Sequence, residues 1–144
     1  MEIKPIHSNK RDDAKNLIWN TFMEFEAPDY SQEGVKTFHN FITDNDTLKK
    51  LEFIGAFEND ELVGVIATRD NRKHICCFFV NAKYHRQGIG KKLLNYIKAN
   101  SENSEITVNS SPFAVEIYGK LGFEETKTEQ ITDGIRYTPM SFRR

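Results

Sequence analysis

Cysteine is scarce in this chain. The 144 residues hold two, Cys76 and Cys77, and they are neighbours. Successive residues of a strand point to opposite faces, so a bridge between them would need distorted geometry, and two free, mostly buried thiols are the better reading. Without a disulfide framework the chain fits a reducing compartment. Long apolar runs are missing too: nothing approaches the ~18 residues of a membrane span. The N-terminus, MEIKPIHSNKRDD, is too polar for a signal peptide. A cytoplasmic protein with no membrane contact is expected. Nor is there an excess of one charge. With 20 basic and 21 acidic residues the net charge is −1, which argues against the basic face that nucleic-acid binding calls for. The histidines, His7, His39, His74 and His85, and the cysteine pair show no ligand spacing, so no metal is expected. There is no repeat, linker or low-complexity segment, and the length suits a single domain over residues 1–144.

The apolar pattern supplies the elements. Glu2 to Ile6 reads as a short first strand. From Asp12, the residues Ala14, Leu17, Ile18, Phe22 and Phe25 recur at helical spacing, with Asn9 or Asp12 as cap and Pro28 as stop. A second helix runs from about Gln32 to Ile42, capped by Ser31, with Val35, Phe38, Phe41 and Ile42 on one face. Leu51 to Phe57, a tight turn at Asn59-Asp60 and Leu62 to Thr68 make a β-hairpin. Ile75 to Val80 is more continuously apolar, which marks a central strand. Then follow a loop at 85–90, a helix to about Asn100, a strand at 105–108, a helix near 112–120, and strands at 123–130 and 135–142 turning at Asp133-Gly134. The expected fold class is α/β (α+β), a mixed sheet of about seven strands with helices on both faces.

The loop is the first segment that points to chemistry. Residues 85–90 read His-Arg-Gln-Gly-Ile-Gly, between the apolar strand and the helical pattern Lys91, Lys92, Leu93, Leu94, Tyr96, Ile97. A strand, a glycine-bearing turn and a helix gather unpaired N–H groups and the positive end of a helix dipole at one point, which suits a phosphate. Gly88 and Gly90 would let the backbone approach its oxygens, and Arg86, Lys91 and Lys92 add positive charge. Other phosphate loops fail: the dinucleotide pattern needs glycine where Leu93 stands, and the P-loop needs glycine at His85 and Ser or Thr at Lys92.

A second segment, ITVNSSPFAVEIYGKLGF at 106–123, leads a short strand through a polar cap into a helix that stops at Gly122. With both segments in hand, the chain resembles the GCN5-related N-acetyltransferase (GNAT) superfamily. That family's acetyl-CoA loop has the form [QR]xxGx[GA] after a central strand, and its later helix typically carries AxxxY followed by LGF. Here the later helix shows Ala114, Tyr118, Leu121, Gly122 and Phe123.

The resemblance implies a mostly antiparallel sheet in which the central strand and the strand after the loop helix diverge. The backbone of Phe78, Phe79 and Val80 would then bond the pantetheine arm of acetyl-CoA like an added strand. It also implies a pyrophosphate held on the loop, at His85, Arg86, Gln87, Gly88, Ile89, Gly90 and Lys91, with Arg86 and Lys91 as charge partners. His85 stands where the family usually has Gln or Arg, and it can still donate a hydrogen bond. Ser111 falls where many relatives place a cofactor-contacting asparagine, and Asn109 is the nearest substitute. Tyr118 occupies the position that commonly protonates the departing thiolate. Many relatives carry a carboxylate in mid-strand, but Ile75, Cys76, Cys77 and Phe78 supply none. The base is therefore sought at His74, on the strand face of Cys76, or at Glu24 and Glu26 near the end of the first helix, with a water chain as the remaining route.

Charge is divided along the chain. Residues 1–72 hold 9 basic and 14 acidic groups, whereas residues 73–144 hold 11 and 7. The halves fit a C-terminal side handling a polyanion and an N-terminal side tolerating a cation. Carboxylates and aromatics mixed at Glu24, Phe25, Glu26, Asp29, Tyr30 and Glu33 suit an ammonium group. The expected function is acetyl-CoA-dependent acetyl transfer to a primary amine, of a cationic small molecule or peptide, by a monomer or homodimer. The alternative is a non-catalytic CoA-binding sensor or partner domain of the same fold. Retention of Tyr118 favours catalysis.

Overall fold

In a computed structural model describing residues 1–144, the sheet begins with the anticipated hairpin. Asn59 and Asp60 have φ of 49° and 66°, left-handed values that Asn and Asp tolerate. They join β2 (Glu52–Glu58) to β3 (Glu61–Arg69). Before them β1 (Glu2–Pro5) pairs antiparallel with β2, and after them β4 (His74–Val80) pairs antiparallel with β3. β5 (Glu105–Ser110) lies beside β4 and is itself paired along its length with β8 (Ile135–Arg143). The sheet has eight strands, in the order β1-β2-β3-β4-β5-β8-β6, with β7 also on β8.

The count differs from seven because the expected strand at 123–130 is broken into β6 (Glu124–Glu125) and β7 (Gln130–Thr132). Pro139 explains the break. Its carbonyl accepts from Thr126 N–H at 2.9 Å, but proline has no N–H to return the bond, so the ladder stops there.

Helices cover both faces, as the pattern predicts. On one face α1 (Arg11–Phe25) and α2 (Gln32–Thr43) bury Ile18, Phe22 and Ile42. The rings of Phe22 and Phe38 stack at 4.0 Å between centroids. On the other face α4 (Ile89–Ala99) buries Leu93, Leu94 and Ile97, and α5 (Val115–Lys120) buries Tyr118. Ser31 caps α2 by accepting from Gly34 N–H at 3.2 Å. α1 departs from expectation: neither Asn9 nor Asp12 caps it. A 3₁₀ turn, Ser8–Lys10, feeds straight into it, and Asp12 and Asp13 oppose the positive end of its dipole instead. A short α3 (Asn45–Leu48) was not anticipated. Asp44 starts it, accepting from Asp46 N–H at 3.2 Å and Thr47 Oγ1 at 2.6 Å.

One feature of the sheet positions the site. β4 and β5 are parallel partners at only two pairs, His74 with Thr107 and Ile75 with Val108. Beyond these the strands part. The β3–β4 register slips by one residue at Cys76, so Ile75, Phe78 and Val80 pack toward α4 while Cys76, Cys77 and Phe79 pack toward α1, and the strand is apolar on both faces.

Candidate active site

A cleft of about 530 Å³ lies where β4 and β5 part. Its walls are the free edge of β4, the loop into α4, the end of α1 and the start of α5. Asn81 N–H donates to the Val63 carbonyl on β3 at 2.8 Å. Strand alternation therefore turns the N–H and C=O of Phe78 and Val80 away from β3 and toward the opening. His85 satisfies one of these groups: its Nε2 lies 2.6 Å from the Val80 carbonyl. A carbonyl can only accept, so Nε2 carries the proton and donates.

The two glycines of the loop have different tasks. Gly88 is the N-cap of α4 at φ 79°, and a Cβ there would meet nothing within 4 Å. Its requirement is the left-handed backbone, and no side chain fills the cap, so the first N–H groups of α4 lack an intrahelical partner. Gly90 is a packing glycine: a Cβ would sit 3.2 Å from Phe78 Cζ. It lets α4 approach β4, and like Gly88 it lines the cleft. Arg86 is exposed at φ 64° beside them.

Phe78, Phe79, Val80 and His85 line the cleft, as do Arg86, Gly88, Ile89 and Gly90. Gln87 and Lys91 do not; both are exposed, and the Gln87 amide turns back to the Lys83 carbonyl at 3.4 Å. Asn109 is exposed on β5, away from the lining. Five lining residues escaped the sequence reading: Thr21 on α1, Tyr84 before the loop, and Phe113, Ile117 and Lys120, the outer wall at α5. For the last three, a helical spacing of three to four residues is the signal that would have found them.

The acid–base groups sort themselves by burial. Glu26, half-buried at the end of α1, is the one carboxylate lining the cleft. Burial pushes its pKa up to about 7, the Ser111 hydroxyl facing it pulls it partly back, and the charge of Asp29 adds to the rise. Ser111 is itself buried, and its Oγ makes no hydrogen bond of full geometry. It faces a carboxylate, not the open cleft. Tyr118 is buried against Phe78 and Phe123, at ring distances of 5.5 and 5.4 Å, and burial followed by the charge of Glu26 raises its pKa well above the ordinary value.

The other base candidates lie elsewhere. Glu24 is exposed one position from Phe25 and outside the cleft. His74 sits at the opposite end of β4, where its Nδ1 meets Thr107 Oγ1 at 2.8 Å. Burial and then Arg69 lower its pKa to about 4. Six residues of strand separate it from Val80, roughly 20 Å at the rise of a β-strand. The structure thus brings neither His74 nor Glu24 to the cleft.

A strand-edge cleft beside a glycine turn into a helix matches a known family. The family model described as an acetyltransferase (GNAT) domain matches residues 26–144. The chain belongs to this family. Its fold is shared with a GCN5-related N-acetyltransferase from Rhodopseudomonas palustris described as an aminotransferase, class-II. That similarity has a TM-score of 0.86 at 18% identity, covering 99% of this chain and 95% of that one. The PaiA N-acetyltransferase of Thermoplasma acidophilum, solved in complex with coenzyme A, has a TM-score of 0.77 at 19% identity, covering 99% and 98%. Among curated proteins, UPF0157 protein YqkA of Bacillus subtilis (strain 168) is 30% identical over 89 residues, which make up 58% of this chain and 26% of that protein. The chain therefore spans about a quarter of that relative's length.

Within the GNAT frame, the strand that lacks a carboxylate carries two cysteines instead. Burial pushes the Cys76 thiol up to about 11 and holds Cys77 well above its ordinary value, so neither is a thiolate at neutral pH. No helix of this GNAT chain is long and apolar enough to cross a membrane.

Proposed function

We propose that the protein is an acetyl-CoA-dependent N-acetyltransferase acting on a primary amine, with Glu26 as general base. The observation that carries this reading is Glu26 itself, the one carboxylate in the cleft, with a pKa of about 7. A base poised near neutrality is half-deprotonated under working conditions yet strong enough to accept a proton, which is the best compromise for general-base catalysis. It also replaces the carboxylate missing from β4.

The rest of the site fits acetyl-CoA as substrate. Phe78 and Val80 present backbone groups to the pantetheine arm, the N-terminus of α4 and Arg86 receive the pyrophosphate, and Lys120 adds charge from the facing wall. In the reaction Glu26 removes a proton from the acceptor ammonium, and the freed nitrogen attacks the thioester carbonyl carbon. The C–N bond forms and the C–S bond breaks as Tyr118 donates its hydroxyl proton to the departing sulfur. The acylated nitrogen, which still carries two hydrogens, gives up one of them to solvent as the tetrahedral intermediate collapses; solvent restores the proton of Tyr118 and takes the one held by Glu26. Acetylated amine, CoA thiol and one proton result. Asp29, exposed three residues beyond Glu26, favours a cationic acceptor.

A panel of primary amines incubated with acetyl-CoA, read by release of free thiol, tests the proposal. At least one amine should turn over, and Glu26→Gln should lower kcat/KM by roughly 10²- to 10⁴-fold, the usual contribution of a positioned base. No turnover across the panel despite tight CoA binding would mean a CoA-binding module instead.

A further inference from the structure

The hairpin β7–β8 is no wall of the cleft, yet it is fastened to the segment that carries Glu26. Arg136 on β8 forms a two-pronged ion pair with Glu129, Nη2 to Oε1 and Nε to Oε2, each at 3.1 Å. Its Nη1 donates across 107 positions of sequence to the Asp29 carbonyl at 3.2 Å. Asp29 N–H in turn donates to the Glu26 carbonyl at 2.9 Å, closing the 3₁₀ turn Ala27–Asp29 onto Glu26. A second set of contacts ties the tip of the same hairpin to α2, the helix that follows this turn. Thr37 Oγ1 on α2 donates to the Asp133 carbonyl at 2.7 Å. The backbones of Gly34 and Gly134 press together so closely that neither has room for a Cβ.

A guanidinium whose planar fork is spent on Glu129 has little freedom left, so its remaining N–H is a fixed point rather than a roaming charge. We propose that Arg136 is a positioning residue for acetyl transfer: through the Asp29 carbonyl it holds the Glu26 turn at the cleft. The β7–β8 hairpin thereby sets where the base sits. This rests on the reading of Glu26 as base. The groups that face Glu26 are Asp29 and Tyr30 from its own segment, Ser111 beyond β5, Cys77 on β4 and Tyr118 on α5. The cleft further holds His85, Arg86 and Lys120. Arg136 is not among the groups acting on Glu26. Removing its charge therefore changes the titration of Glu26 only if the turn moves and water reaches the carboxylate.

The experiment titrates Glu26 directly, without an acceptor. Full-length protein labelled with ¹³Cδ-glutamate is followed by NMR across pH, and the Glu26 resonance is identified by its loss in Glu26→Gln. The wild-type midpoint should lie at about 7. In Arg136→Ala it should fall by a unit or more toward the ordinary 4.5. Arg136→Lys, which keeps a donor for the Asp29 carbonyl, should fall in between, and Thr37→Val should shift it in the same direction by less. On whichever amine is turned over, Arg136→Ala should lower kcat/KM about ten- to a hundred-fold, the scale of a small misplacement, with CoA affinity unchanged. Folded Arg136→Ala and Thr37→Val proteins that titrate at the wild-type midpoint would overturn the proposal. If Arg136→Ala does not fold, Arg136→Lys and Thr37→Val decide by the same criterion. A wild-type midpoint near 4.5 would instead overturn Glu26 as base, whatever Arg136 does.

Discussion

At the residue scale the protein places its reactive groups at a cost in stability. Glu26 binds its proton more tightly in the folded chain, at about 7, than at the ordinary 4.5. Below pH 4.5 both states are protonated and the fold is not penalised; as pH rises through about 7 the folded carboxyl must ionise while half-buried, and stability falls. Glu26→Gln removes that penalty. The variant should be more stable than wild type at pH 8 by on the order of 1–3 kcal/mol, and the gap should close at pH 4, as urea unfolding at the two pH values will read. A Gln variant less stable at pH 8 would mean that the carboxylate is structurally favourable where it stands. Tyr118 should behave oppositely. Tyr118→Phe keeps the ring contacts with Phe78 and Phe123, so stability changes little. Its kcat should fall by roughly 10- to 1000-fold with CoA affinity intact. A wild-type kcat under conditions where chemistry limits turnover would assign protonation of the sulfur to solvent.

At the element scale, what was legible in the sequence is what periodicity writes. The hairpin, the two amphipathic helices over one face and the strand–loop–helix at 74–99 were all visible, because their apolar spacing survives any neighbour. The break between β6 and β7 was not. It depends on Pro139 lying opposite Thr126 in the ladder, and register is tertiary information. For the same reason sequence offered Glu24, Glu26 and His74 as equal candidates. Only the direction of α1 and the polarity of β4 separate them, sending Glu26 into the cleft, Glu24 to solvent and His74 to the far end of the strand. The loop glycines show the same limit: composition marked both, and packing tells them apart. Gly88→Ala should cost ~1–2 kcal/mol of stability from the left-handed backbone alone, and because Gly88 lines the cleft at the helix terminus proposed for the pyrophosphate it should also weaken CoA binding, though less than the bulkier change at Gly90. Gly90→Val should push against Phe78 and narrow the cleft at the strand edge, weakening CoA binding by roughly tenfold or more. Calorimetric titration of the two variants with CoA will show whether the order is as stated; equal losses would mean that both glycines approach the phosphates.

At the scale of the whole molecule, the sheet is a ladder with a section left out. β3 satisfies one side of β4 and β5 leaves the other side open beyond Ile75, so the two cores on either face are joined across an unfinished seam. His85 covers one carbonyl of that edge, and a bound pantetheine arm would complete the rest as a substitute strand. Ligand binding should therefore stabilise the entire fold: at a hundredfold excess over Kd the gain is about 2.7 kcal/mol, read as a rise in Tm. It should also leave a pattern that a merely tighter protein would not. The N–H groups of Phe78 and Val80 face the seam, whereas those of Cys77 and Phe79 face β3. Hydrogen exchange with and without CoA should show new protection at Phe78 and Val80, with Cys77 and Phe79 slow in both states. Protection rising evenly along the strand would mean that CoA rigidifies the domain from elsewhere without pairing to this edge.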